Sequence, residues 1–211
     1  MTSDKDLRLL VTSGDGPREC RRAVHLILGQ MRKEAARRTL TFDETLSDPD
    51  AQDPPSAIVR LSGEAAEVFA KRWVGTVQWI AQSPFRPHHK RRNWFVGVFR
   101  VSAEDAVSTE LDPKELKFET FRAGGPGGQH QNTTDSAVRL THLPSGIAVI
   151  SRDERSQHRN KQAALRRLAD RLYLQKEIAD ARSKASENIL HKRLERGNAV
   201  LCFKGEKFVE S

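Results

Sequence analysis

Gln129 follows Gly124, Gly125, Pro126, Gly127 and Gly128, inside the stretch FRAGGPGGQHQNTTD from Phe121 to Asp135. Glycine admits positive φ and lets another molecule lie against the main chain, so this run offers bare backbone N–H groups and one neutral amide. Such groups stabilise a developing oxyanion or orient a water, but a carboxamide cannot take a proton with any strength. No Ser-His-Asp set, carboxylate pair or cysteine lies near the run. Asp135 is a lone acid there, and no metal-ligand spacing joins His130 to His142. The chemistry left is attack on an already activated electrophile, with the remaining machinery on a partner. A mobile surface turn is the competing reading of any Gly-rich run, and composition alone leaves both open.

The elements that must position this run can be read outward from it. Strand Leu116–Arg122 precedes it, and strands Ala137–Thr141 and Ile147–Ser151 follow, joined by the turn LPSG. A long helix is expected from near Ser156, its N-cap, with Leu165, Leu168 and Leu172 as an apolar stripe. The last residues, Ala199–Val209, include a short strand. Upstream, Leu7–Thr12 reads as a strand, and Pro17 opens a helix to about Arg38 with Val24, Ile27, Leu28 and Met31 on one face. The intervening SGDG lacks the Gly-Lys-Ser/Thr ending of a phosphate loop and reads as a plain turn. Strands Thr39–Leu46 and Ala57–Leu61 flank the irregular SDPDAQDPP, and a second helix is expected from about Glu64 to Ile80. The basic loop SPFRPHHKRR and strand Asn93–Val101 come next, then the acidic loop Ser102–Leu111, read as a hinge or sheet edge. The expected fold class is α/β (α+β): an α/β sandwich with helices on one face of a small sheet over residues 1–111, then residues 112–211 with a mixed sheet and a long basic helix. Sharing of the sheet across that boundary is left open.

With 211 residues and 37% hydrophobic content the chain can bury one large core or two small ones. Two widely separated cysteines, Cys20 and Cys202, suggest a reducing compartment and no disulfide framework. The N-terminus lacks an apolar signal region, and no stretch approaches the roughly 20 apolar residues of a membrane span. A soluble, cytoplasmic, monomeric protein without metal or other cofactor is expected. Its charge is segregated. Arg152 to Arg196 carries thirteen Lys/Arg against seven Asp/Glu, a surplus of six out of the net +8. A denser cluster, Arg86, His88, His89, Lys90, Arg91 and Arg92, contains no acid. Basic surfaces segregated in this way meet polyanions, nucleic acid above all. For the first segment a solvated helix face of mixed charge remains the alternative.

The stretch RAGGPGGQHQNTTDSAVRLTHLPSGIAVISRDERSQHRNK closely resembles the catalytic domain of bacterial class-I peptide chain release factors. The resemblance rests on Gly127, Gly128 and Gln129, on the strand-turn-strand after them, and on SQH-x-NK at Ser156 to Lys161. It implies that the tripeptide enters the peptidyl transferase centre of the large ribosomal subunit and promotes hydrolysis of the peptidyl-tRNA ester. It also implies a glutamine methyltransferase as partner, modifying the Gln129 side-chain nitrogen. Upstream, Leu7–Ile80 follows the element order of the family's codon-recognition domain, and Ser83-Pro84-Phe85 matches the tripeptide of factors that read UGA and UAA. Two departures stand out. The N-terminal helical domain of full-length factors has no counterpart, and Arg92 and Asn93 replace a His-Thr pair that reads the stop codon. This shortened form is similar to the release factor H group, associated with an RNA ligase and with ribosomes cut in the decoding centre.

The resemblance thus implies a ribosome-dependent release or rescue factor, with ester hydrolysis but not codon reading carried over. The residues expected at decoding-centre RNA are Ser83, Pro84, Phe85, Arg86, His88, His89, Lys90, Arg91, Arg92, Asn93 and Trp94, with Phe85 or Trp94 stacking on an exposed base. Arg122, Arg155, His158, Arg159 and Lys161 are expected at ribosomal RNA phosphates. The alternatives are a short UGA/UAA-specific release factor, a free-standing esterase that lacks any strong general base, and an RNA-binding module without chemistry. A rescue factor that fills an empty mRNA channel with a polybasic tail is disfavoured, because the tail LCFKGEKFVES carries two Lys and two Glu.

Overall fold

A computed structural model of the chain describes residues 7–101, 111–121, 136–183 and 198–211, with the side chains of the last helix described to residue 176. Two compact units are present, one holding residues 7–101 and 198–211, the other 111–121 and 136–176. In the first, β1 (Leu7–Thr12), β2 (Thr41–Leu46), β3 (Ser56–Ser62), β4 (Gly75–Ile80), β5 (Asn93–Arg100), β9 (Ala199–Lys204) and β10 (Val209–Glu210) form one sheet in the order β10-β9-β4-β5-β1-β3-β2. Every pair is antiparallel except β4 with β9, which makes the sheet mixed. Period-2 alternation sends Leu9, Val11, Val59, Leu61, Val77, Val96 and Val98 into one core. There they meet Val24, Ile27, Leu28 and Met31 of α1 (Arg18–Arg37) and Phe69 and Trp73 of α2 (Ala66–Trp73). The apolar face expected of the first helix is the face it buries.

The second helix is shorter than expected. It stops at Trp73, and Gly75–Ile80, expected as its last turns, is a central strand paired with both β5 and β9. Gly75 makes the break: its φ is +134°, a conformation that side chains rarely adopt, and a Cβ there would lie 2.7 Å from Val200 Cγ1. Gly75→Ala is expected to destabilise the first unit by about 1–3 kcal/mol, read as a lowered denaturant midpoint with unchanged slope. An unchanged midpoint would contradict this origin of the break.

The C-terminal segment bears on the sharing of the sheet left open at the expected boundary. Its strand β9 adds to the first sheet beside β4, and Phe203 stacks on Trp73 at 5.9 Å and on Phe208 at 4.2 Å. Trp79 donates its indole N–H to the Gly205 carbonyl at 2.9 Å, and Arg72 Nη2 reaches both carboxylate oxygens of Glu210 at 2.6 and 2.5 Å. Aromatic pairs of this kind contribute about 0.5–1.5 kcal/mol each beyond the area they bury.

The second unit is a three-stranded sheet, β6 (Leu116–Phe121), β7 (Ala137–His142) and β8 (Ala148–Ser151), with α3 (Gln157–Ser183) against it. Among the described residues these three strands pair antiparallel, and the mixed sheet is the one that β9 joins. Val138, Leu140 and Val149 pack on Ala164 and Leu168 of α3, with Leu165 and Leu172 partly buried beside them. The Gly-rich run with Gln129, Arg122, and most of the acidic loop Ser102–Leu111 lie outside the described residues.

Candidate nucleic-acid interface

The basic loop is the tip of a hairpin. Strands β4 and β5 pair antiparallel from Gly75↔Val98 to Ile80↔Asn93, and Ala81 N–H donates to the Arg92 carbonyl at 2.9 Å to close residues 81–92. Inside the loop, Ser83 is buried, and its Oγ accepts from the backbone N–H of Phe85 at 3.2 Å and of Arg86 at 2.9 Å. The same hydroxyl donates to Glu19 Oε1 at 2.5 Å, and Arg86 Nε donates to that oxygen at 2.7 Å. Phe85 is half-buried with the Arg18 guanidinium 4.2 Å from its ring centre. Pro84, Arg86, His88, Lys90, Arg91, Arg92 and Asn93 are exposed and His89 is half-buried, so most of the expected cluster does share one surface.

Trp94 is not part of that surface. It is fully buried, and its indole N–H donates to the Ala81 carbonyl at 3.0 Å. The guanidinium groups of Arg91 and Arg86 lie 5.1 and 5.7 Å from the centre of its ring, and His89 meets it edge-on. Trp94 therefore supports the hairpin from beneath and cannot stack on an incoming base as expected. Strand alternation explains the difference, since Trp94, Val96 and Val98 point inward together. Arg91 is further braced by its Nε bond to the Asn93 carbonyl at 3.0 Å. Of the four cations in the loop, Arg86 is spent on Glu19, while Lys90, Arg91 and Arg92 present their charge outward.

Glu19 is the residue contacting the loop that the sequence reading lacked. An acid in the first turn of a helix reads as a partner of the helix dipole, and nothing local points to a loop 64 residues away. Burial raises the pKa of its carboxyl, but hydrogen bonds from Arg86 and Ser83 outweigh burial and hold it below the ordinary value. A depressed folded-state pKa means that the stabilisation is complete above the unfolded carboxyl pKa and is lost as pH falls through the lower folded value. Thermal unfolding between pH 6 and 3 should thus lose midpoint more steeply for the wild type than for Glu19→Gln. Equal slopes would contradict the assignment.

In the second unit, Arg155, His158, Arg159 and Lys161 are exposed at the start of α3. Arg159 lies 3.6 Å from Glu154, His158 pairs with Gln162 at 3.0 Å, and Lys161 Nζ sits 4.4 Å from the centre of the Phe118 ring. Beneath them Asn160, fully buried, satisfies four backbone and side-chain groups. It donates to the carbonyls of Ser136 at 2.7 Å and Glu154 at 2.8 Å, and accepts from Glu154 N–H at 3.0 Å and Ser151 Oγ at 3.2 Å. Asn160 thereby ties the strand entry at Ser136 to the start of the helix, a role that its place in SQH-x-NK did not disclose.

Comparison with known proteins bears on both units. Residues 105–200 match the RF-1 domain family, a span that contains Gly127, Gly128 and Gln129. A peptide chain release factor homolog of Escherichia coli is 42% identical over 204 residues, covering 96% of this chain and 98% of that protein. The chain belongs to the peptide chain release factor family. Peptide chain release factor 2 of Chloroflexus aggregans is 37% identical over 177 residues, and that of Haemophilus influenzae 40% over 139. The chain spans 48% and 38% of the length of these two relatives. Among solved structures, RF2 of Thermus thermophilus aligns with a TM-score of 0.47 at 34% identity, covering 95% of this chain and 58% of that one. Among the described residues of this chain, no helix is long and apolar enough to cross a membrane.

Proposed function

We propose that this protein is a ribosome-dependent release factor acting in rescue: it promotes peptidyl-tRNA hydrolysis in the peptidyl transferase centre of ribosomes whose decoding centre is damaged. In this reading Gly127 and Gly128 let the loop approach the tRNA 3′ end. The Gln129 backbone N–H stabilises the charge that develops on the ester oxygen, and its side chain, methylated by a glutamine methyltransferase, sizes the pocket for the attacking water. No general base of the chain is needed, because the ester is already activated and the ribosome supplies the rest of the site. Arg122, Arg155, His158, Arg159 and Lys161 hold ribosomal RNA phosphates. The protein works as a cytoplasmic monomer.

The observation that carries the rescue reading is the hairpin. Where a codon reader needs neutral donors and acceptors in fixed geometry, the exposed tip offers His88, Lys90, Arg91 and Arg92. Exposed cations suit phosphates of a flexible RNA end better than base edges. The second reading, a short UGA/UAA release factor, draws on the Ser83-Pro84-Phe85 match and on the release factor 2 relatives.

Two measurements test this function. Hydrolysis of peptidyl-tRNA is expected with ribosomes and not without them; activity on free peptidyl-tRNA would make the chain an esterase. Ribosome association should weaken steeply with salt, at about −0.7 to −0.9 in log affinity against log salt per phosphate contact, or about −4 to −5 for six exposed cations in contact. A flat dependence would leave these charges facing solvent.

A further inference from the structure

Glu19 lies in the first turn of α1, yet its Oε1 turns to the β4–β5 hairpin and gathers two of its side chains. A hydroxyl has one proton to give and two lone pairs to share. Ser83 spends all three, giving to Glu19 and accepting from the N–H groups of Phe85 and Arg86. The residue is only 7% exposed. A base laid against the hairpin would find no free donor or acceptor on Ser83 unless the buried bond to Glu19 first broke. Phe85 is half-buried beneath Arg18 and Trp94 is buried in β5, whereas Pro84 and Arg86 are exposed. The exposed cations that Glu19 does not hold are Lys90, Arg91 and Arg92.

We propose that Glu19 is a positioning residue that locks the hairpin in a form blind to bases, by holding Ser83 and Arg86 on a single carboxylate oxygen. The consequence for RNA rests on the function proposed above; the lock itself does not. Its strength follows from the asymmetry of the pair, because Glu19 is 1% exposed while Arg86 is 45% exposed. The buried carboxylate depends on the guanidinium, since among the described residues its other oxygen, Oε2, has no hydrogen-bond partner. Taking away Arg86 leaves the buried carboxylate with the Ser83 hydroxyl alone, whereas Arg86 without Glu19 stays hydrated, and a hydrogen bond to a charged group contributes more than a neutral one. The Ser-Pro-Phe tripeptide thus becomes an internal brace. Specificity passes to Lys90, Arg91 and Arg92, which keep their orientation only while the brace holds.

The test uses the full chain with Glu19→Gln, Arg86→Gln and the double variant, and two independent readouts. The first is backbone amide exchange at Phe85 and Arg86, whose N–H groups bond Ser83 Oγ. Glu19→Gln should speed exchange there by about tenfold or more while leaving β1 and β3 as in the wild type. The second is single-turnover peptide release on ribosomes nicked in the decoding centre. Glu19→Gln should raise the half-saturating ribosome concentration about tenfold with the saturating rate unchanged. Arg86→Gln should raise it by a similar factor, and the double variant should be no worse than either single one. Unchanged amide exchange in Glu19→Gln overturns the proposal, as does faster exchange with an unchanged half-saturating concentration. About hundredfold, additive loss in the double variant also overturns it, because Arg86 would then contact RNA independently of Glu19. If Glu19→Gln does not fold, Arg86→Gln alone decides: unchanged exchange at Phe85 rules the lock out. A wild type inactive on every ribosome form would refute the proposed function, while the exchange readout would still decide the lock.

Discussion

Gly127→Ala and Gly128→Ala are each expected to slow peptide release by about 10²-fold or more, a loss of the size expected when the Gln129 N–H is displaced from the oxyanion. Ribosome affinity should stay within about twofold, because neither glycine has a side chain with which to bind. An added Cβ would block either a positive-φ backbone or close approach to the tRNA end, and the damage would fall on the transition state. Gln129 should respond differently. In the proposed function, removing its side chain leaves the backbone N–H and takes away the wall of the water pocket, so release to larger nucleophiles should gain relative to water. Weakened binding with a normal single-turnover rate in the glycine variants would remove the tripeptide from the chemistry.

The second large effect belongs to the hairpin. Arg91→Ala with Arg92→Ala should lower release on the preferred ribosome form by about 10²-fold, as expected for the loss of two charge-assisted contacts. Any codon dependence of the residual activity should be unaltered, because charges that grip phosphates carry no base information. The double variant should fold normally, since both side chains are exposed and Trp94 keeps its bond to the Ala81 carbonyl. A change in codon preference would mean that Arg91 or Arg92 reads a base.

What the sequence disclosed and what it withheld divide along the range of the interactions. Helix α1 was readable because Val24, Ile27, Leu28 and Met31 repeat at helical spacing within one segment, and all four are buried. Strand β4 was not. Phe69, Trp73, Val77 and Ile80 also fit a helical stripe, and a short apolar run does not reveal its type by periodicity. The backbone at Gly75 made the decision, and β9 confirmed it from more than a hundred residues away. At the site, the basic cluster was plain in composition, whereas its division into inward and outward halves was not. Trp94 could have been placed inward by continuing the alternation of Val96 and Val98. Glu19 could not, because its partners Ser83 and Arg86 lie 64 and 67 residues further along.

The central claim is that the hairpin senses the state of the decoding centre while the Gly-Gly-Gln tip promotes hydrolysis. Its most direct test is single-turnover peptide release on intact ribosomes and on ribosomes nicked in the decoding centre, each with a stop codon, a sense codon or no codon in the A site. Fast release on the nicked ribosomes whatever the codon, with little on intact ones, is the expected result. Efficient release on intact ribosomes only at UGA or UAA would contradict it, and would make the protein a short stop-codon release factor.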